Sequence, residues 1–598
     1  MKKNIALFLF AVALLIPASA SLQSSRPEPS SERIASHVAY LASDRLQGRR
    51  AGTQGAELAA GYIAKQFRDL RLRPAAANFL QPFSFVASVR LGKENRFEVK
   101  TPESRSLKVE EDFMPLAFSA STLASASVVF AGYGISAPEL QYDNYSSDVA
   151  GKIVLILRGS PDGDNPHSRF ADYTQPGLEV QKKTLKAREK GARGVIFISA
   201  EQNFRDDRLS RLRHDVNFLD AGIPAVVISR KAADALLASE KSSASEAEKR
   251  AKENPSPLPL NATVEFKTDV VKVEGKSSNV VGILRGSDPQ LSSEYIIIGA
   301  HYDHLGLGGS ESLAARPEGQ IHHGADDNAS GTSVLIELAR VIIAARPRRS
   351  IVFIAFSAEE LGLLGSAAYT KNPIVPLAST VAMLNMDMVG RLRNDALTIG
   401  GVGTSPAWQP LLERLNSAAN GNRFRMSFNQ DGFGPSDHQS FYVRDLPVLF
   451  FFTGTHDDYH KPSDTAEKIN TEGASRIAAF VRDIALSVAN ESQRIAFTKV
   501  KVESRPAGRG FRVYLGTVPS YGDSQDGLKL DGVRPGSPAE KAGLRAGDVI
   551  TKIGKFPIKN VYDYTFALGE LRAGVEVEVV IRRDGREQML KLTPEKRS

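Results

Sequence analysis

The sequence predicts an α/β protein with a mostly parallel or mixed sheet that is covered by helices on both faces. In residues 276–495, five short and strongly apolar runs have the length of buried strands: Val280–Leu284, Tyr295–Ala300, Ile351–Phe356, Thr380–Met386 and Val448–Phe452. Helical patterns such as Gly331–Ala345 and Ala474–Val488 separate several of these runs. Because parallel strands need crossover helices and are buried on both faces, this alternation indicates a covered, mostly parallel sheet.

The first 20 residues have the layout of a secretory signal peptide. Lys2 and Lys3 precede the apolar run Ile5–Ile16, and the small residues Ala18-Ser19-Ala20 follow it. The run is shorter than the roughly 20 residues that a membrane span needs, and no cysteine follows it to carry a lipid anchor. The sequence therefore predicts a mature protein that starts near Ser21, is periplasmic or secreted, and has no integral membrane span after signal removal.

The rest of the 598-residue chain divides into four further segments. Residues 31–110 begin as α/β, with helical spacing at Ile34, Val38 and Leu41. Residues 111–275 have their own strand pattern, and their stretch 239–254 reads as a solvated helix or a linker. Residues 276–495 contain the regular α/β pattern. Residues 500–598 are predicted to form a small module, mixed α/β or all-β, with turns at Pro535-Gly536 and Asp584-Gly585.

Composition excludes several classes of protein. The 42% hydrophobic and 24% charged residues are ordinary for a globular chain. The net charge of +8 (76 − 68) is spread without a long basic block, so nucleic-acid binding is not indicated. The complete lack of cysteine excludes disulfides, thiolate zinc sites, iron–sulfur clusters and cysteine nucleophiles. Any bound metal must be held by His, Asp and Glu.

Seven of the ten histidines fall between residues 301 and 460, and several acids lie at the ends of predicted strands in the same region. His301, Asp387 and the pair Glu359-Glu360 each follow an apolar run, and His460 lies in the loop after another. Ligands of open parallel sheets bind beyond the carboxyl ends of the strands, so these side chains are expected to converge. A buried carboxylate without a partner costs several kcal/mol, which favours a metal. Imidazoles and carboxylates without thiols suit zinc, and manganese or cobalt as substitutes.

The motifs resemble, in order and context, those of the co-catalytic dizinc aminopeptidases of the M28 type. They are His301-Tyr-Asp303-His304, Gly324-Ala-Asp-Asp-Asn-Ala-Ser-Gly331, Ser357-Ala-Glu-Glu-Leu-Gly-Leu-Leu-Gly-Ser366, Asn385-Met-Asp-Met388 and Tyr459-His-Lys-Pro-Ser-Asp-Thr465. The resemblance implies two Zn²⁺ ions per chain. It assigns His301 and Asp387 to one ion, and Glu360 and His460 to the other. Asp327, immediately before Asn-Ala-Ser-Gly, would bridge them in preference to Asp326.

The resemblance also implies roles for three neighbouring residues. Asp303 would orient the ring of His301. Glu359 would act as general base toward a water whose pKa the zinc pair lowers to ~7. Tyr459 is the candidate donor to the oxyanion. The peptide bond between Asp327 and Asn328 is expected to be cis. The expected activity is hydrolysis of the N-terminal peptide bond of peptides that have a free N-terminus.

The remaining histidines of this region are interpreted as structural: His304, His322, His323, His438 and His456. Asp437 is a weaker candidate for support of the site from behind the ligands. A carboxypeptidase, a glutaminyl cyclase and a non-catalytic receptor-like relative stay open as alternatives on the same scaffold. The intact set of predicted ligands argues against the receptor-like relative. A serine protease with a PDZ domain is disfavoured, because no Gly-x-Ser-x-Gly elbow occurs.

Both flanking segments also resemble known domains. Phe130-Ala-Gly-Tyr-Gly134, Gly151-Lys-Ile-Val-Leu-Ile156 and Lys186–Ile198 look like a protease-associated (PA) domain that interrupts one catalytic domain formed by 31–110 and 276–495. Such an insertion would restrict the size of substrates. Val533–Ile550 resembles a PDZ domain, in which Tyr514-Leu-Gly-Thr517 would receive a peptide C-terminus. This loop departs from the usual Gly-Leu-Gly-Phe.

Overall fold

The computed structural model describes residues 27–596 except 101–103, 147–148, 164, 166–167, 171–172, 174–178, 213–219, 310, 419–420, 501–512, 520–526, 560–562, 565–566 and 569–570. The predicted signal peptide, residues 1–20, lies outside the described residues. The described chain forms an α/β domain built on a nine-stranded mixed sheet, an inserted domain built on an eight-stranded sheet, and a small C-terminal β domain. The predicted mixed α/β fold is confirmed.

The nine-stranded sheet carries the regular pattern seen in the sequence. Its strands follow the spatial order Arg73–Pro74, Val270–Leu284, Ser350–Phe356, Tyr295–His301, Thr380–Met386, Val448–Phe452, Ala396–Gly400 and Arg425–Phe428, with Leu80–Leu91 pairing with Val270–Leu284. The four central strands, from Ser350–Phe356 to Val448–Phe452, run parallel to their neighbours in that order. Antiparallel strands flank them on both sides. The carboxyl ends of the four parallel strands therefore lie at one edge.

Helices cover both faces of this sheet. Four of them pack on one face around a single apolar core: Ser31–Leu41, Gln54–Asp69, Gly331–Ala345 and Thr471–Asn490. The opposite face is covered by shorter helices, Leu364–Lys371 and His438–Tyr442, through Tyr369 and Phe441. Helix Trp408–Asn416 completes the domain. The segment Ala325–Ala345 is apolar and long enough to cross a membrane, but 78% of its most apolar window is buried in the core.

The inserted domain has its own core and joins the central sheet through a long two-stranded arm. Its strands follow the order Arg105–Leu107, Arg96–Lys100, Leu258–Lys267, Leu123–Phe130, Ile153–Ile156, Gly194–Ile198, Ala225–Ile228 and Phe113–Pro115. Its helices are Glu179–Glu189, Arg230–Leu237 and Ala244–Glu253. The last of these begins with a capping box at Ser243 and buries three alanines, so it is a packed helix and not a linker.

One boundary of the inserted domain differs from the predicted one. The sequence pattern placed the domain change after residue 110, whereas strands Arg96–Lys100 and Arg105–Leu107 pair with the inserted sheet. The chain leaves the central sheet along Leu80–Leu91 and returns along Val270–Leu284. Hydrophobic alternation in 96–107 does not show which sheet these strands join, because the strand that links them to the inserted sheet, Leu258–Lys267, lies more than 150 residues farther along the chain.

The C-terminal domain is an antiparallel β structure. Its strands are Val513–Tyr514, Thr517–Pro519, Leu528–Val533, Val549–Ile553, Phe556–Pro557, Val577–Arg583, Arg586–Leu592 and Glu595–Lys596, with the short helix Pro538–Lys541. Its strand residue Val518 packs into an apolar cluster of the catalytic domain that contains Phe433 and Tyr442. Arg534 forms an ion pair of 3.0 Å with Asp431 beside that cluster. The C-terminal domain therefore docks on the catalytic domain.

Candidate metal centre

The predicted site residues converge at the carboxyl ends of the central parallel strands. His301 is the last residue of its strand, and Asp387 directly follows Thr380–Met386. Glu360 lies in the loop after Ser350–Phe356, and His460 lies in the loop after Val448–Phe452. Asp327 reaches the same place from the turn that precedes helix Gly331–Ala345. The structure thus brings together side chains that are up to 159 residues apart in sequence (460 − 301).

The five predicted ligands form two adjoining groups that share Asp327. In the first group, His301 Nε2 lies 3.2 Å from Asp387 Oδ1 and 3.4 Å from Asp327 Oδ1. In the second group, His460 Nε2 lies 3.2 Å from both Asp327 Oδ2 and Glu360 Oε2. Each oxygen of Asp327 therefore faces a different group. This is the arrangement that a bridging carboxylate needs.

The donor separations fit tetrahedral zinc. Two ligands on one zinc ion, each bonded at ~2.0–2.1 Å in tetrahedral geometry, lie about 3.3 Å apart. The four separations within the two groups are 3.2–3.4 Å. Glu359 Oε2 lies farther from His301 Nε2, at 3.9 Å. Glu359 still lies with His301 and Asp387 in a group whose donor atoms are all within 4.8 Å of one another, but its separation from His301 exceeds the tetrahedral spacing that Glu360 matches with His460.

The electrostatics of the pocket also favour cations. Burial lowers the pKa of His460, but the carboxylates of Asp327 and Glu360 outweigh burial and raise that pKa to about 11. The pKa of His301 is likewise raised well above its usual value, chiefly by Asp387 and Glu359 against the effect of burial. The carboxylates thus favour the protonated, cationic form of both imidazoles. Metal binding releases such protons, so divalent cations can replace them as the compensating charge.

The loop that carries Asp327 is fixed by its neighbour Asn328. The Asn328 side chain donates to the Met386 carbonyl at 3.0 Å and accepts from the backbone N–H of Met388 at 3.2 Å. It therefore links this loop to the strand end that presents Asp387. The peptide bond between Asp327 and Asn328 is cis, which confirms the sequence-based expectation. Asp326 points away from the two groups and pairs with His456 at 3.1 Å.

Two polar contacts hold the first group from behind. The Ser436 hydroxyl donates to Asp387 Oδ2 at 2.8 Å and accepts from the Asn385 amide at 2.9 Å. The ring Nδ1 of His301 lies 3.3 Å from the Asp303 carbonyl oxygen and 3.8 Å from its carboxylate. The Asp303 carboxylate instead accepts from the Glu359 backbone N–H at 3.1 Å. Asp303 therefore contacts both the predicted ligand His301 and the predicted base Glu359.

The two predicted catalytic residues border the metal groups. Burial raises the pKa of Glu359 well above its usual value, which increases its basicity as a carboxylate. The Tyr459 ring stacks on His460 with centroids 3.9 Å apart. Burial and the surrounding carboxylates raise the pKa of the Tyr459 hydroxyl. This hydroxyl therefore keeps its proton and can serve as a hydrogen-bond donor.

Three of the remaining histidines have local partners. His322 contacts the Ser312 hydroxyl at 2.6 Å, His323 pairs with Asp44 at 2.8 Å, and His438 stacks on Phe450. Asp437 is completely buried beside this site, and burial raises its pKa to about 7. Its support of the site from behind the ligands stays a prediction.

Sequence reasoning missed two residues of the site. His304 Nδ1 lies 2.7 Å from Glu360 Oε1, and its ring is buried. His304 is interpreted as structural from the sequence, but it contacts a predicted metal ligand. Its place one residue after Asp303 was the available signal. The second is Arg49, a completely buried arginine that donates to backbone carbonyls of the loops around Asp327. A lone arginine in a glycine-rich turn gave no signal of this contact.

Models of three known families match separate parts of the chain. The model of peptidase family M28 matches residues 279–485, which contain all five predicted metal ligands. The catalytic domain belongs to peptidase family M28. In this M28 peptidase, the PA domain model matches residues 117–236 and the PDZ domain model matches residues 499–593. The predicted family and the two accompanying domains are confirmed, and the chain is a zinc-dependent exopeptidase.

Similar proteins include Aminopeptidase YwaD of Bacillus subtilis (strain 168), which is 26% identical over 467 residues, covering 76% of this chain and 85% of the relative. A probable zinc metalloprotease of Pyrenophora teres f. teres (strain 0-1) is 42% identical over 117 residues, covering 19% of this M28 peptidase and 23% of the relative. Among solved structures, an aminopeptidase from Aneurinibacillus sp. strain AM-1 is 24% identical, with a TM-score of 0.47, and covers 78% of this chain and 96% of that one.

Proposed function

We propose that this M28 peptidase is a dizinc aminopeptidase that hydrolyses the N-terminal peptide bond of peptides. The observation that carries the proposal is Asp327, whose two carboxylate oxygens each face a separate histidine–carboxylate group. A structural carboxylate needs only one set of partners. A carboxylate between two sets of nitrogen and oxygen donors, each buried or partly buried, suits two cations.

His301, Asp387 and Asp327 would hold one zinc ion, and His460, Glu360 and Asp327 the other. Manganese and cobalt accept the same donors. When bound, such a pair lowers the pKa of a water molecule toward ~7 and polarises the scissile carbonyl. The protein's own contribution is to fix the donors through Asn328 and Ser436 and to keep the pocket buried.

Glu359 is the proposed general base. It accepts a proton from the attacking water as the new carbon–oxygen bond forms, and it donates that proton to the leaving nitrogen as the carbon–nitrogen bond breaks. Its separation from His301 leaves it outside the ligand groups, and burial raises its basicity. Tyr459 is the proposed donor to the oxyanion of the tetrahedral intermediate.

An N-terminal cleavage site is favoured over a C-terminal one by the charges around the pocket. A carboxypeptidase needs a cationic side chain that is available to the terminal carboxylate of its substrate. Arg50 and Arg391 flank loops of the site, but they already pair with Glu311 at 3.6 Å and with Asp464 at 2.9 Å, respectively. The six buried or nearly buried acids of the site are Asp303, Asp327, Glu359, Glu360, Asp387 and Asp437. An amino terminus complements such a surrounding better than a carboxylate does.

One panel of substrates tests this proposal. Aminoacyl-nitroanilides and peptides with free or blocked termini are incubated with the full-length enzyme that has been loaded with zinc. We expect cleavage that requires a free N-terminus and ignores a blocked C-terminus. A requirement for the free C-terminus would identify a carboxypeptidase. Release of ammonia from N-terminal glutamine without peptide cleavage would identify a glutaminyl cyclase. Absence of turnover with two ions bound would indicate a non-catalytic relative.

The flanking segments lead to three further parts of the proposal. The N-terminal pattern around Lys2 and Ala20 supports export, and the N-terminal residue of the protein recovered from culture medium or periplasm should be Ser21. The PA domain is proposed to restrict substrate size, so long peptides should be cleaved more slowly than dipeptides with the same N-terminal residue.

The PDZ domain is proposed to bind a peptide C-terminus at Tyr514–Thr517. A hydroxyl contact between Thr517 and Tyr564 spans this region and would have to open for a peptide strand.

A further inference from the structure

We propose that His304 is a positioning residue that presents Glu360 to the second zinc ion through only one of its oxygens. This inference rests on the proposed dizinc function. The two oxygens of Glu360 face two different imidazoles. Oε1 lies 2.7 Å from His304 Nδ1, and Oε2 lies 3.2 Å from His460 Nε2.

The two distances have different physical meanings. A separation of 2.7 Å is that of a direct, charge-assisted hydrogen bond. It is shorter than the separation of about 3.3 Å expected for two ligands on one tetrahedral zinc ion. The contact of His460 with Oε2 has the wider spacing, and so do its contact with Asp327 and both contacts of His301. His304 therefore fits the hydrogen-bond partner of a ligand, and His460 fits the ligand itself.

The hydrogen-bond inventory fixes the proton of His304. An ionised carboxylate only accepts hydrogen bonds, so Nδ1 of His304 must be the donor. The other nitrogen, Nε2, is buried and has no hydrogen-bond partner among the described residues. An apolar or aromatic side chain would fill this place without leaving a buried nitrogen unpaired, which costs ~1–3 kcal/mol. Among the described residues, the hydrogen bond to Glu360 is therefore the contact that explains a histidine at this position.

The surrounding chain is shaped around this ring. A Cβ atom on Gly324, whose φ is +53°, would lie 2.2 Å from the Asp327 carbonyl oxygen and 2.4 Å from His304 Cδ2 and Cγ, so glycine here admits both the loop and the ring. Gly324 belongs to the loop that continues to Asp327. The ring also meets His460 edge-on, with centroids 5.7 Å apart. His304 thus contacts Glu360, His460 and the loop of the bridging carboxylate, and its removal should loosen the second group more than the first.

The test measures zinc affinity directly. The zinc-free full-length wild-type protein and the His304→Leu variant are titrated with zinc in competition with a chromophoric chelator. We expect both proteins to bind two ions, with the weaker dissociation constant raised 10- to 100-fold in the variant, as is usual for loss of a hydrogen-bond partner of a ligand. His37→Leu is the matched control, because His37 lies in helix Ser31–Leu41 and contacts Tyr62 instead of the site. It should bind zinc as the wild type does.

The conservative variant separates positioning from bulk packing. His304→Asn places an amide nitrogen on Cγ, where histidine has the Nδ1 that contacts Glu360, whereas the amide of His304→Gln lies one methylene farther along the side chain. We expect the affinity to fall in the order wild type, Asn, Gln, and this comparison also serves if His304→Leu does not fold. Unchanged affinity in all variants would overturn the proposal. Loss of one bound ion at saturating zinc would also overturn the proposal, because it would show that His304 is itself a metal ligand. A wild type that binds fewer than two ions would refute the proposed function instead.

Discussion

The buried guanidinium of Arg49 provides the sharpest test of how the site is held together. It donates to four backbone carbonyls at 2.5–2.8 Å, those of Leu41, Tyr302, His323 and Gly324. A fifth carbonyl, that of Asp327, lies at 3.4 Å. Burial lowers the pKa of Arg49 to about 10, while the charges of Asp327 and Asp303 act in the opposite direction. The side chain thus joins the first helix to the loops of the metal centre and offsets their negative charge.

Two substitutions separate its hydrogen bonds from its charge. Arg49→Met removes a donor from four carbonyls, of which that of Gly324 keeps the backbone N–H of Ala329. At ~1 kcal/mol for each of the other three, the low end of the usual range, the loss is about 3 kcal/mol. Arg49→Lys keeps the charge, but an ammonium group has only three protons, so at least one short bond is lost, at ~1–3 kcal/mol. The expected order of stability is therefore wild type, Lys, Met.

The measurement is urea unfolding of the full chain, in the presence of a chelator so that zinc binding does not contribute. Trp408 is the only tryptophan, and it is completely buried in the catalytic domain, so its fluorescence reports unfolding of that domain. Lys65→Met removes an exposed cation paired with Asp69 and should change the stability by less than ~1 kcal/mol. An Arg49→Met variant within ~1 kcal/mol of the wild type would refute the reasoning.

Three other predictions concern the metal site and a fourth concerns His37 in helix Ser31–Leu41. Exhaustive chelation should abolish hydrolysis of aminoacyl-nitroanilides and added zinc should restore it; activity that survives chelation contradicts the metal assignment. Glu359→Gln should keep two zinc ions by elemental analysis and lose at least ~100-fold in kcat, whereas loss of metal would mean that Glu359 and Glu360 have exchanged roles. Asp327→Asn should lose zinc affinity, while its neighbour Asp326→Asn should keep zinc affinity and lose stability instead; equal zinc affinities would remove Asp327 from its bridging role. Burial lowers the pKa of His37 from 6.5 to about 4, so its contribution to stability is complete above pH 6.5 and is lost as the pH falls toward 4. Between pH 7 and 4.5 the wild type should lose of the order of 2–3 kcal/mol more than His37→Gln in urea unfolding, and parallel pH profiles would contradict this.

The contact between the C-terminal domain and the catalytic domain lies close to the metal centre. Asp431 and Phe433, which meet Arg534 through an ion pair and through the face of the ring, lie in the loop that continues to Ser436. Ser436 holds Asp387. The same loop therefore contacts both the docked domain and the first ligand group.

Much of the central fold could be predicted because its strands are recognisable one at a time. Thr380–Met386 and Val448–Phe452 have the predicted bounds, and helix Gly331–Ala345 does as well. A fully buried strand must be apolar along its whole length, so its ends are marked in the sequence. The half-exposed strands 96–100 and 105–107 lack such marks, and their membership of the inserted sheet was missed.

The amino-acid sequence alone determined the family, the order of the domains and the identity of five candidate ligands, because each motif is a local pattern next to a strand end. Only the tertiary structure decided which atoms meet. His304, Glu359 and Glu360 are similar candidates in sequence, and the structure distinguishes them: His304 lies 2.7 Å from Glu360, Glu359 lies 3.9 Å from His301, and Glu360 lies 3.2 Å from His460. Arg49 finds its acceptors at Tyr302 and Gly324, more than 250 residues along the chain. Such contacts depend on how separate segments pack, and packing is a property of the folded chain that no local pattern contains.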